Sequence, residues 1–242
     1  MIPKLISIVV VTFNLYEYTK KCLGSIKKYS RQPYELIVVD NGSKDNTAQL
    51  VEGSCDRLIA NERNLGYPGG CNQGIEAARG EYILLLNNDT IVTPNWLTNL
   101  KLCLTSSREV GIVSPLTNRV ANPNFKVDVS FKNEAEIEHF TKEFNQHNPE
   151  RWFEYHVLPG FCMMIKARVF RDTGKLDERY GLGLCEDYDL SLRARRVGYK
   201  LLCAGDTFVY HYRSRTFAGN NIDRERLLKK NTMIFKKKWD NS

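Results

Sequence analysis

Branched aliphatic runs recur through the first half of this chain, each followed by a stretch whose apolar residues return at helical spacing. Leu5 to Val11 is such a run, and Leu15, Tyr18, Cys22, Leu23 and Ile26 then mark one face of a helix. Glu35 to Asp40 reads as a second strand, Asp45 can cap a short helix through Val51, and Arg57 to Ala60 is a brief third strand. Gly69 to Ala78 is helical in pattern despite its glycines. Tyr82 to Asn87 reads as a buried strand, and Thr93-Pro94 as the N-cap and first position of a helix through Leu104. Strands joined through helices pair parallel, so the alternation predicts an α/β fold with a mostly parallel, Rossmann-like central sheet flanked by helices.

From Asn118 to about Arg151 the pattern breaks. Asn122-Pro123-Asn124 and many charges replace the apolar runs, one helix is expected over Glu134 to Phe144, and the segment has too few apolar residues for a core of its own. It reads as an insertion over the sheet's edge. Val157 to Ile165 then reads as a strand, Glu186 to Val197 as a helix stopped by Gly198, and Lys200 to Ala204 and Thr207 to His211 as short strands before a terminal helix. The 242 residues, 42% of them hydrophobic, suit one domain with a sizeable core.

Charge and cysteine content narrow the function classes. The net charge of +7 suggests an anionic partner, but no recognition motif for nucleic acid accompanies it. The densest run, Lys229-Lys230 and Lys236-Lys237-Lys238, is interleaved with Leu227, Leu228, Ile234, Phe235 and Trp239. It is either the solvated face of a final amphipathic helix or a surface for phosphate or peripheral membrane contact. Seven cysteines include no Cys-x-x-Cys pair and cannot complete a disulfide framework, so reduced thiols and a cytoplasmic setting are expected. Apolar stretches fall far short of the ~20 residues a membrane helix needs. Met1-Ile2-Pro3-Lys4 does not read as a secretory signal.

The loops disfavour several familiar chemistries. Thr12-Phe13-Asn14 after the first strand lacks the glycines a dinucleotide pyrophosphate requires, and Gly66-Tyr67-Pro68-Gly69-Gly70 does not match G-x-G-x-x-G. There is no Gly-Lys-Ser/Thr phosphate loop and no G-x-S-x-G elbow. What remains is a set of polar groups that finish apolar runs or start a helix: Asp40, Asp89, His211 and the pair Glu186-Asp187. Ligands of open α/β sheets gather beyond the carboxyl ends of the strands, so these groups are expected to converge on one crevice.

The ordered motifs resemble the family 2 glycosyltransferases of the GT-A fold. They are Val9-Val10-Val11-Thr12-Phe13-Asn14, Val38-Val39-Asp40-Asn41-Gly42-Ser43 with Asp45 and Thr47, and Asn64-Leu65-Gly66 through Gly69-Gly70-Cys71-Asn72-Gln73-Gly74. Leu85-Leu86-Asn87-Asn88-Asp89 resembles the family's D-x-D site, with Asn87 and Asn88 in place of carboxylates. Asp177-Glu178-Arg179-Tyr180 resembles a family turn, Glu186-Asp187-Tyr188-Asp189-Leu190 with Arg193 the ED motif, and Val209-Tyr210-His211 the late histidine of rhamnosyl- and galactofuranosyl-type members. The resemblance spans Leu5 to Phe217. It implies an inverting transferase using a nucleoside-diphosphate sugar, UDP- or dTDP-linked, and a glycan, lipid-linked or protein acceptor, as in members acting on bacterial surface polymers. Residues 1–117 are then the nucleotide-binding half, 118–151 the insertion, and 152–242 the acceptor and catalytic half.

Each position has a chemical reading. Asp40 can accept from a base imide or ribose hydroxyl, with Thr12, Phe13 and Asn14 flanking the base, or it can simply open the turn Asp-Asn-Gly-Ser. Asn64, Gly69 and Asn72, with Asn88, suit a loop pressed against nucleotide, or an ordinary glycine-rich turn. Asp89 suits Mn²⁺ or Mg²⁺ bridging the diphosphate, with His211 as second ligand, unless either is merely structural. Of Glu186 and Asp187, one is expected to be the general base, and the resemblance selects Asp187; a charged first helical turn is the alternative. Asp189 and Arg193 stand at i,i+4 spacing. Gly160 can let the acceptor approach closely, Trp152 or Tyr155 can stack on a sugar, and Arg213 or Arg215 can reach phosphate. A nucleotidyltransferase, or a non-catalytic sugar-binding or nucleotide-binding module, are the competing readings.

Overall fold

The structure, a computed structural model, describes residues 5–212 and 215–240. The first aliphatic run forms β1 (Ile6–Thr12), every residue of it buried. In chain order follow α1 (Tyr16–Tyr29), β2 (Tyr34–Asp40), α2 (Thr47–Val51), β3 (Arg57–Ala60), α3 (Gly66–Ala77), β4 (Tyr82–Asn87), β5 (Thr90–Ile91) and α4 (Trp96–Thr105). The second half contains β6 (Val110–Leu116), α5 (Glu134–Phe144), β7 (Phe153–Glu154), β8 (Cys162–Lys166), α6 (Ala167–Thr173), α7 (Glu186–Arg196), β9 (Lys200–Phe208), β10 (Tyr210–His211), α8 (Arg215–Gly219) and α9 (Arg224–Trp239).

An eight-stranded sheet runs β3-β2-β1-β4-β8-β6-β9-β7, and β5 pairs with β10 in a separate two-stranded ribbon. β1 lies parallel to both β2 and β4, with Thr12 opposite Asp40 and Val11 opposite Asn87. Register alone therefore brings three strand ends to one edge. β8 runs antiparallel to β4, so the chain entering it meets the end of β4, where the Asn87 amide donates to the Phe161 carbonyl at 2.9 Å. The ribbon sets His211 opposite Thr90, and the Tyr212 amide donates to the Asp89 carbonyl at 2.9 Å.

Both faces of the sheet are covered, which is why its central strands are apolar without alternation. Ile6, Ile8 and Val10 pack with Leu84, Leu86 and Trp96 on one side, and Val9 and Val11 pack with Ile75, Leu85 and Leu190 on the other. The glycines of α3 serve this packing. A Cβ on Gly70 would lie 2.8 Å from Cγ1 of Val11, and one on Gly74 would collide with Val9.

The expected elements form with four departures. β6 was not apparent from its sequence because Gly111 and Pro115 interrupt it; register shifts against β9 occur beside both residues, and a Cβ on Gly111 would sit 2.8 Å from the Tyr199 ring. Residues 157–161 are not strand, and β8 begins only at Cys162. Thr93 does not cap α4: its hydroxyl donates to the Phe208 carbonyl at 2.7 Å, and the helix starts at Trp96 after Asn95 in a left-handed conformation. Lys200 to Phe208 is one strand.

Segment 118–151 packs on the main sheet. Phe140 and Phe144 meet Phe208 of β9 with ring centroids 5.3 and 5.9 Å apart, and Asn145 Nδ2 donates to the Thr93 hydroxyl at 2.9 Å. All seven cysteines are free thiols. Among the described residues no helix is long and apolar enough to cross a membrane. Lys229, Lys230, Lys236 and Lys237 of α9 face solvent, whereas Lys238 pairs with Asp177 and Asp189.

Candidate active site

A cavity of about 430 Å³ opens where β1 and β4 end, beside the ribbon and the start of α7. Thr12, Phe13 and Asn64 line it from the first half of the chain, and Asn88 and Asp89 from the turn after β4. Gly160, Glu186, Asp187 and His211 complete it from the second half. Cys185, Glu186, Asp187 and Tyr188 all reach the cavity; Cys185 precedes the helix and the three helical residues after it fan through about 200°, so the end of α7 and not its side faces the cavity. That end presents the positive pole of the helix to both carboxylates.

Asp187 and Glu186 sit in unlike surroundings. Oδ2 of Asp187 accepts from the Gly160 amide at 2.8 Å and Oδ1 from the Tyr188 amide at 2.9 Å, so both oxygens are fixed by backbone donors. Burial pushes the Asp187 carboxyl upward, and these amides oppose the shift by favouring the anion. Glu186 is only 6% exposed, its Oε2 has no partner among the described residues, and burial reinforced by Asp187 pushes its carboxyl up to about 8. The two surroundings divide the pair: backbone amides favour the anion on Asp187, whereas burial and the neighbouring carboxylate disfavour it on Glu186. Such a division is the usual sign of an acid–base site.

Gly160 enables this arrangement in a way the sequence did not suggest. A Cβ there would lie 2.8 Å from Cβ of Asp187, so the close approach it permits is that of the carboxylate itself.

On the opposite wall His211 Nε2 lies 3.0 Å from Asp89 Oδ1, and both residues are buried. The imidazole stacks on Phe161 with centroids 5.2 Å apart, and its Nδ1 is buried without a partner among the described residues. One carboxylate and one imidazole on a cavity wall fit a divalent cation that takes its remaining ligands from phosphate and water. Among the described residues no group of three or more His, Cys, Asp or Glu side chains is placed to hold a metal. Asn88 also lines the cavity, and its Nδ2 donates to Thr19 Oγ1 at 3.0 Å.

Six expected site residues do not line the cavity. Asp40 takes the turn role, accepting from the Ser43 hydroxyl at 2.5 Å and the Ser43 amide at 3.0 Å. Asn14 braces the neighbouring loop through the Lys44 amide, 2.7 Å from its Oδ1. Asn72 is buried and clamps another loop, donating to the Leu176 carbonyl and to Glu178 Oε1 at 2.9 and 2.8 Å. Gly69 faces Leu65, whose Cβ would be 3.1 Å from an added methyl. Trp152 packs against His147, with centroids 5.5 Å apart, and against the core, because the Pro149–Arg151 turn carries it there; Tyr155 stacks on His156. Neither aromatic is available to a sugar in the cavity. Asp189 accepts from Arg193 Nε at 2.8 Å, the helical pair its spacing predicts.

Other residues joined the site unannounced. Tyr67 lines it with a buried hydroxyl that has no hydrogen-bond partner among the described residues, and Arg119 and Arg224 bring cations to its rim. Arg224 is the first residue of α9, directly after the helix cap Asp223. Arg213 and the side chain of Arg215, expected at phosphate, lie outside the described residues.

Comparisons with known proteins bear on the family and the fold. The sequence model of glycosyl transferase family 2 matches residues 7–174. An uncharacterized glycosyltransferase of Methanocaldococcus jannaschii is 27% identical over 203 residues, covering 81% of this chain and 66% of that protein. The mannosyltransferase PcManGT of Pyrobaculum calidifontis, solved with GDP-Man and Mn²⁺, superposes with a TM-score of 0.64 at 19% identity over 86% of this chain and 56% of its own. TarS of S. aureus, residues 1–349 with UDP-GlcNAc, gives 0.62 at 19% identity, covering 85% and 57%. The chain spans only about two thirds or less of these relatives. With a family match over more than half its length and a GT-A sheet to carry the motifs, the chain belongs to glycosyl transferase family 2.

Proposed function

We propose that the protein transfers a sugar from a nucleoside diphosphate, UDP- or dTDP-linked, to an acceptor hydroxyl with inversion at the anomeric carbon. The carrying observation is the Asp187 carboxylate, held by two backbone amides on the same cavity as Asp89 and His211. In this reading the acceptor oxygen forms its bond to the anomeric carbon as the bond to the diphosphate breaks, the electron pair leaves with phosphate, and Asp187 receives the hydroxyl proton. The Gly160 and Tyr188 amides orient the carboxylate and favour its anion, while burial and Asp187 favour the protonated form of Glu186. Asp89 and His211 would hold Mn²⁺ or Mg²⁺, which neutralises charge on the departing diphosphate. Thr12, Phe13 and Asn64 border the nucleotide, and Arg119 and Arg224 supply cations at the rim. The acceptor is a hydroxyl of a glycan, a lipid-linked sugar or a protein.

A thermal-shift screen of UDP, dTDP and GDP sugars with and without Mn²⁺, followed by transfer and anomeric analysis of the product by NMR, tests the proposal. Metal-dependent stabilisation and an inverted product are expected. Retention of configuration would refute the single displacement.

A further inference from the structure

The loop that delivers Glu186 and Asp187 has an uncommon backbone. Gly181, Gly183, Leu184 and Cys185 have φ of 57°, 113°, 73° and 77°. Glycine adopts such angles freely, but the Cβ of Leu184 and of Cys185 crowds the neighbouring carbonyl oxygen. Side chains stay there only where the surroundings over-determine the backbone.

The determinant is Asn231 of α9, which is fully buried. Its Nδ2 donates to the carbonyls of Tyr180, Gly183 and Leu184 at 2.8, 2.6 and 3.1 Å. On the other side the loop rests against α3: a Cβ on Gly66 would collide with the Gly181 carbonyl, and one on Gly183 would lie 3.3 Å from Tyr67 Cβ. α9 is itself pinned to α7, since Asp189 Oδ1 receives Lys238 Nζ at 2.6 Å and Trp239 Nε1 at 3.0 Å. Cys185 immediately precedes the carboxylate pair, so its dihedrals set the direction in which α7 starts.

We propose that Asn231 is a positioning residue for the carboxylate pair: by gathering three loop carbonyls it fixes the left-handed turn from which Glu186 and Asp187 enter the cavity. The kinetic consequence rests on the glycosyltransferase reading; the hold on the loop does not.

Asn231→Ala removes the donors and Asn231→Ser leaves one hydroxyl, both in the full chain. Hydrogen exchange of the peptide spanning 181–189 should accelerate by about tenfold or more while β1 and β4 stay protected. With the nucleotide sugar that wild type turns over, kcat should fall on the order of tenfold while the Kd for UDP with Mn²⁺ moves less than about twofold. A purely structural Asn231 would lower Tm and leave kcat, taken well below Tm, at the wild-type value. That result overturns the proposal, and so does wild-type exchange in the loop. If the Ala variant does not fold, the Ser variant is judged by the same two readouts. A wild type inactive with every nucleotide sugar would refute the transferase reading, while the exchange data would still decide whether Asn231 holds the loop.

Discussion

Asp187→Asn separates the chemistry of the base from its scaffolding. The carboxylate accepts the Tyr188 amide at Oδ1 and the Gly160 amide at Oδ2, at 2.9 and 2.8 Å. Asn keeps one acceptor and turns its NH₂ toward an amide donor whichever way it is oriented. One backbone N–H therefore loses its partner, at a cost of about 1–3 kcal/mol. For a chain of this length each kcal/mol lowers Tm by roughly 2–4 °C, so the variant should melt about 2–12 °C lower. Removing the proton acceptor should slow transfer by a factor on the order of 10² to 10⁴, or about 3–5 kcal/mol of activation free energy. The assay is initial transfer rate at saturating donor, taken well below the variant's Tm, beside calorimetric binding of UDP with Mn²⁺. kcat should collapse and nucleotide affinity should survive. Glu186→Gln is the counter-variant: with its carboxyl pushed up to about 8, Glu186 is mostly protonated at neutral pH, so Gln mimics it and transfer should stay near normal. Near-normal transfer by Asp187→Asn with an inactive Glu186→Gln would move the base by one position. If both variants stay active, the pair is structural and the reasoning fails.

Burial and Asp187 push the Glu186 carboxyl up to about 8 from 4.5 for a free side chain, so the folded protein binds the extra proton between these values and loses stability as pH rises through that window. Melting curves should show Glu186→Gln stabilised relative to wild type at about pH 9 and matched to it at about pH 4; equal differences at both would remove the buried-ionisation argument. Asp89→Ala should abolish the extra thermal stabilisation that Mn²⁺ gives to UDP-bound protein without unfolding it, and wild-type metal dependence in that variant would exclude Asp89 as a ligand. Gly160→Ala, whose Cβ would sit 2.8 Å from Cβ of Asp187, should lower kcat on the order of 10² by displacing the base; unchanged kcat would show that Asp187 tolerates other placements.

Where the fold was legible, local pattern and tertiary context agreed. The run Leu36 to Val39 is apolar on both faces because helices cover both, and β2 forms where its sequence places it. β6 was hidden because its irregularities answer to partners distant in sequence. Gly111 makes room for Tyr199, and Pro115 sits at a register shift against β9. Thr93-Pro94 misled for the same reason: a local cap signal lost to a hydroxyl bond with Phe208, 115 residues away. The glycine-rich start of α3 suited a loop pressed against nucleotide, but Gly70 and Gly74 let the helix lie against Val11 and Val9.

The site divides along a similar line. Strand ends are read from hydrophobic runs, and parallel register brings Thr12, Asp40 and Asn87 to one edge without further information. Which of them faces a ligand depends on what the neighbours claim first. Ser43 claims both oxygens of Asp40, while the Asp89 carboxylate meets an imidazole 122 residues later. Both aspartates close an aliphatic run, Asp40 directly and Asp89 after Asn87-Asn88. The difference arises because β10 folds back on β5 and carries His211 to Asp89. Asn231 was illegible for the same physical reason. It lies among lysines and apolar residues in a basic helix, and only the packing of α9 over the 180–185 loop turns its amide into a clamp on three carbonyls. Residues that touch substrate can be inferred from chemistry at strand ends, but those that hold such residues in place are defined by contacts that exist only after folding.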